Sequence, residues 1–71
     1  MKGAELIRKI TRAGRRNNIP VRFAKEQGKG SHGTLYYGDR STIVKDRTKE
    51  IGPGLLAKML RDLGLTRDDL R

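Results

Sequence analysis

Thr34-Leu35-Tyr36-Tyr37-Gly38-Asp39-Arg40-Ser41-Thr42-Ile43-Val44-Lys45 reads as two short strands joined by a turn at Gly38-Asp39-Arg40. β-branched and aromatic side chains suit a pleated, half-buried surface, and a connection this short returns the second strand antiparallel to the first. Upstream, residues 21–26 alternate with period two: Val21 and Phe23 point one way, Arg22, Ala24 and Glu26 the other. The loop around Gly30 is short enough to lay that run antiparallel to residues 33–37, giving a three-stranded meander.

Helical patterns flank the meander. Leu6, Ile7, Ile10 and Ala13 form one apolar stripe, predicting a helix over residues 2–13 with Gly14 as its left-handed cap. Arg15-Arg16-Asn17-Asn18 then reads as polar punctuation before Ile19-Pro20. Towards the C-terminus, Gly52 is an acceptable cap and Pro53 suits the first turn of a second helix. Leu55, Leu56, Met59, Leu60 and Leu63 make its broad apolar stripe; Gly64 ends it, and Leu65 packs back on Leu60. Thr66 with Asp69 can cap one further short turn.

The order is α-β-β-β-α, an α+β fold: a three-stranded antiparallel sheet with two helices on one face, because two amphipathic helices need one shared surface. The opposite face is expected to be open. His32 and Leu35 differ by an odd number of residues, so with Leu35 in the core His32 looks outward, and Tyr36 shares its parity. Tyr37 belongs with Leu35.

Seventy-one residues make one domain, 1–71. A chain this short buries only about 60% of the surface its unfolded form exposes, so any site is expected to be a shallow groove or patch. The absence of cysteine removes disulfides, thiolate nucleophiles and common structural zinc sites. One histidine and scattered carboxylates give no metal cluster, and no cofactor is expected. No apolar run reaches the length of a membrane span, so the expected address is the cytoplasm.

The net charge is +9, and residues 1–49 carry 13 basic against 4 acidic side chains while 50–71 are balanced. Such an excess favours polyanions, whose condensed counterions are released on binding. Surplus lysine can also serve solubility alone. With Arg15-Arg16, Lys25, Lys29, Lys45, Arg47 and Lys49 all in or near loops, a nucleic-acid partner is the stronger reading. A membrane surface is the weaker one, since the cations are not gathered on one helix face.

Gly28-Lys29-Gly30-Ser31-His32-Gly33 contains the only histidine. Histidine both takes and gives a proton near neutral pH, and glycines let backbone N–H groups cradle an anion. Together with Lys29 these parts suit chemistry at a phosphodiester. The plainer reading is a flexible connector carrying a solvated histidine.

Set in this frame, the chain resembles the HicA-type toxins, small ribonucleases of prokaryotic toxin–antitoxin pairs. Glu5-Leu6-Ile7-Arg8 resembles the family's opening helix, and Lys29-Gly30-Ser31-His32 resembles its Gly-Ser-His motif at the start of the second strand. Lys49-Glu50-Ile51-Gly52-Pro53-Gly54-Leu55-Leu56, running on to Gly64-Leu65, resembles its closing helix and cap. Two departures stand out. This chain has no tryptophan after the first helix, and Gly33 follows the histidine where members often carry a bulky or polar residue. The resemblance implies a fold like the double-stranded-RNA-binding domain, metal-independent cleavage of messenger RNA in a prokaryotic cytoplasm, and inhibition by a HicB-type antitoxin encoded beside it. The family's essential histidine carries over to His32.

RNA cleavage without a metal uses the neighbouring 2′-hydroxyl as nucleophile. His32 is the candidate general base. Lys29, with backbone N–H groups from Gly30 to Gly33, is the candidate for stabilising charge on the phosphoryl oxygens, or else only for docking RNA. Ser31 reads as a loop or phosphate contact, since one histidine without a placed carboxylate makes no triad. Arg22, Lys25, Lys45, Arg47 and Lys49 read as phosphate contacts, each alone being equally an ordinary solvated charge. Tyr36 is a candidate to stack on a base; as an acid, a phenol is poor beside an imidazole. Two other readings use the same features: a non-catalytic RNA-binding module, and an interaction domain whose basic face meets an acidic protein.

Overall fold

Hydrophobic spacing and capping together set the first element. The computed structural model describes residues 1–28, 30 and 32–71; the readings at Lys29 and Ser31 lie outside the described residues. Helix α1 spans Gly3–Asn17 and buries Leu6, Ile10 and Ala13 along one stripe. Its start has no side-chain cap. Instead the N–H groups of Gly3 and Ala4 donate to the carbonyls of Lys49 and Arg47, at 3.3 and 2.9 Å, which satisfies orphan donors of the first turn.

The helix runs a turn further than its apolar pattern predicts. Gly14 is not the cap; it lies inside α1 and is buried, while Asn18 holds the left-handed position at φ 56°. Packing explains the difference. A β-carbon at Gly14 would meet the side chain of Val21 and stand 2.7 Å from the Ile19 carbonyl, so the glycine lets the chain turn back tightly into the sheet. Asn tolerates the left-handed cap better than most residues. Arg15-Arg16-Asn17 accordingly form the last helical turn, and Arg16 donates to the Asp69 and Arg71 carbonyls at 2.6 and 2.8 Å.

Strands β1 (Val21–Lys25), β2 (Gly33–Tyr37) and β3 (Arg40–Val44) form one antiparallel sheet in the order β1-β2-β3. Phe23 pairs with Leu35 across β1–β2, and Leu35 with Thr42 across β2–β3. The two-residue turn has Gly38 at φ 62° in its first central position, the conformation a type II′ hairpin needs. Helix α2 follows at Pro53–Leu63, with Gly52 as N-cap, Pro53 in the first turn and Gly64 as the left-handed C-cap. Leu65 N–H donates to Leu60 C=O at 2.9 Å, closing the helix as its sequence predicts. A 3₁₀ turn, Arg67–Leu70, carries the expected Thr66–Asp69 capping box.

Both helices cover the same sheet face. Leu6 and Ile10 of α1, Leu35 and Val44 of the sheet, and Leu56, Met59, Leu60 and Leu63 of α2 belong to one buried cluster. Full burial of such side chains contributes about 1.5–3 kcal/mol each. Tyr37 is buried too, and its hydroxyl accepts a 3.0 Å bond from Asn17 Nδ2. Buried Thr42 donates from Oγ1 to Asp62 Oδ2 at 2.9 Å, fastening α2 to β3. Leu55 departs from expectation: it is exposed, because the buried stripe of α2 begins at Leu56 and the first turn overhangs the edge of β3.

Candidate functional site

The face of the sheet turned away from the helices follows from strand alternation. Arg22, Tyr36 and Ser41 make one row across it, and Ala24, Thr34 and Ile43 the next. One step further along the pairing stands His32, its carbonyl accepting the Glu26 N–H at 2.9 Å, with Lys45 following Val44 on the other side. Arg22, Glu26, Ser41, Ile43 and Lys45 are exposed, while His32, Thr34 and Tyr36 are half-buried. The only histidine of the chain thus stands at the head of β2 on the open face.

Arg22 and Tyr36 form a built pair there. The guanidinium carbon lies 4.5 Å from the centre of the Tyr36 ring, a contact worth about 0.5–1 kcal/mol at an exposed site. It presents a flat cation backed by an aromatic ring, a platform on which a nucleobase can stack while a phosphate meets the charge.

Around His32 the backbone is shaped by glycine. Gly28 and Gly30 hold φ of 74° and 59°, and with Lys25, Glu26 and Gln27 they border an open depression of about 640 Å³. On the other side of His32, Gly33 is buried beneath the Phe23 ring. The departure after the histidine therefore has a packing cause: a side chain at that position would occupy the space of Phe23.

One carboxylate, Asp46, senses the charge of the imidazole, as the weakest influence on it. Asp46 accepts from the Thr48 hydroxyl at 2.6 Å and the Thr48 N–H at 2.8 Å. Those bonds chiefly hold its carboxyl below the ordinary range, with smaller contributions from the charges of Lys49 and His32. Asp46 is fourteen residues from His32 and in a charged connector, so sequence spacing does not link the two.

The remaining cations are dispersed. Lys25 alternates to the helix side at the end of β1. Arg47 is half-buried, its guanidinium carbon 5.3 Å from the Phe23 ring centre and its Nε buried without a hydrogen-bond partner. It braces the core's rim. Lys49 is exposed beside the N-terminus of α1. Of the phosphate contacts read from sequence, Arg22 and Lys45 share the open face with His32; Lys25, Arg47 and Lys49 do not.

Among the described residues, no group of three or more His, Cys, Asp or Glu side chains is arranged to hold a metal ion. Among the same residues, no helix is long and apolar enough to cross a membrane. Compared with protein-family models, curated proteins and solved structures, the chain matches none.

Proposed function

We propose that the protein is a metal-independent endoribonuclease of the HicA toxin type, cutting messenger RNA at His32. The observation that carries this reading is the placement of the only histidine at the head of β2 on the open sheet face, the same face that carries the Arg22–Tyr36 platform two rows along. The α-β-β-β-α order, the basic excess and the resemblance at Lys29-Gly30-Ser31-His32 support it further.

In this mechanism His32 takes the proton from a ribose 2′-hydroxyl. The 2′-oxygen bonds to the adjacent phosphorus, the P–O5′ bond breaks, and the 5′-oxygen leaves with a proton from the imidazolium or water. General base catalysis of this kind is worth about 10²–10⁴-fold in rate. Arg22 and Lys45 neutralise the RNA backbone, and the Arg22–Tyr36 pair stacks on an unpaired base. A HicB-type antitoxin and a prokaryotic cytoplasm complete the reading.

The test is to incubate the protein with a long single-stranded RNA under chelator and to characterise the ends. The expected products carry a 2′,3′-cyclic phosphate and a 5′-hydroxyl; 5′-phosphate ends would rule out attack by the 2′-oxygen. A non-catalytic RNA-binding module is the second reading, favoured by the Arg22–Tyr36 platform, which serves binding without any chemistry. Tight, salt-sensitive binding with intact RNA would select it.

A further inference from the structure

We propose that the free edge of β3 and the groove between it and the first turn of α2 receive an extended acidic segment of another protein, which adds a fourth strand to the sheet. The strand order gives β3 one neighbour, so its other side carries unpaired N–H and C=O groups. Tyr37 and Arg40 close the two-residue turn. Counted from that pair, every second residue bonds to β2, leaving the backbone groups of Ser41 and Ile43 directed outward.

The middle of this edge is unguarded. Sheets commonly protect an edge with charge, proline or a bulge. β1 follows Pro20 and carries Arg22 and Lys25; β3 begins at Arg40 and is followed by Lys45, and between them Ser41-Thr42-Ile43-Val44 are four consecutive uncharged residues. Beside them runs a groove of about 530 Å³, lined at the strand edge by Ile43 and further by Val44, Ile51, Leu55 and Met59. Ile43 and Leu55, 55% and 47% exposed, are the large hydrophobics left open among the described residues, and both line this one groove. An added strand supplies both missing partners: backbone groups for the edge and alternate apolar side chains for the floor.

Charge selects the occupant. Lys45, Lys49 and Lys58 border the groove together with Asp46 and Glu50. Asp46 is engaged by Thr48, Glu50 pairs with the amino group of Met1, and Lys58 pairs with Asp62 at 3.0 Å. Lys45 and Lys49 make no ion pair among the described residues, so the rim favours acidic side chains alternating with apolar ones. A second copy of the chain is disfavoured, since pairing β3 with β3 would bring like lysines together in a molecule of net charge +9. The proposal stands independently of whether the protein cleaves RNA.

The test is an amide-resolved NMR titration with an acetylated, amidated octapeptide of alternating Glu and Val. Two controls replace Glu by Lys or N-methylate alternate backbone nitrogens. The expected result is movement of the Ser41, Ile43 and Lys45 amides with the Glu/Val peptide alone, weakened about tenfold or more in Ile43→Glu and in Leu55→Glu. Both replaced side chains are exposed, and unchanged circular dichroism verifies that the variants fold. Equal response to the Lys/Val or methylated peptide, binding retained in both variants, or shifts at these amides with single-stranded RNA but not with the Glu/Val peptide would overturn the proposal.

Discussion

The ring of Phe23 lies where a β-carbon on Gly33 would have to go, and the Ala24 carbonyl stands 2.7 Å from the same point. This contact fixes the backbone on which His32 depends, because His32 is the residue immediately before Gly33. Gly33→Ala is therefore expected to destabilise the protein by about 1–3 kcal/mol through overpacking. Phe23→Leu in the same chain should recover part of that loss but not all, since the carbonyl contact remains. Urea denaturation of the two single variants and the double variant measures the coupling.

Gly14 sets helix propensity against packing. Alanine in place of a helical glycine gains about 1 kcal/mol from the backbone alone. Here its methyl would meet Val21 and the Ile19 carbonyl, and overpacking costs about 1–3 kcal/mol. Because a backbone carbonyl yields little, packing decides the sign: Gly14→Ala should lower the melting temperature. A raised melting temperature would show that the turn into β1 is looser than the structure has it.

Asp62 ties stability to pH. Hydrogen bonds from Lys58 and Thr42 hold its carboxyl below the ordinary 3.8. A carboxyl lowered by folding adds stability above its unfolded pKa, and that contribution is lost as pH falls through the lowered folded value. Asp46 has the same sign, from its bonds to Thr48. Thermal melts should thus fall on acidification below about pH 4. Asp62→Asn should be less stable than the parent at neutral pH, with the difference lost as pH falls through the lowered folded value.

On the open face, charge and stacking are separable. Arg22→Ala is expected to weaken RNA binding across sequences and to reduce the dependence of log affinity on log salt by about one phosphate. Tyr36→Ala should cost about 1–3 kcal/mol of single-strand binding with the salt dependence nearly unchanged. Filter binding across a salt series measures both. Equal effects of Lys25→Ala would argue against the face, because Lys25 lies on the helix side.

Much of the fold is legible in the chain because its signals are local. Alternation from Val21, the turn glycine at 38 and the Gly52-Pro53 and Gly64-Leu65 caps each act within a few residues. The end of α1 was not legible: a glycine after an apolar stripe marks a cap by local rules, and only the approach of Val21 shows that Gly14 packs inside the helix. Leu55 fails for the same reason, since periodicity cannot say how far α2 overhangs β3. Within the site, parity from Leu35 puts His32 and Tyr36 on the outer face, and alternation adds Arg22. The weak influence of His32 on Asp46, and the burial of Arg47 against Phe23, depend on how the connector 46–50 folds over the start of α1.

His32 bears the chemistry, and one comparison tests it most directly. The protein and His32→Ala are each incubated with a long single-stranded RNA under chelator, with circular dichroism and RNA affinity measured on the same samples. The expected result is cleavage by the parent and a loss of about 10²–10⁴-fold in the variant, with fold and affinity kept. Equal cleavage by both, or binding without cleavage by the parent, would contradict a ribonuclease centred on His32.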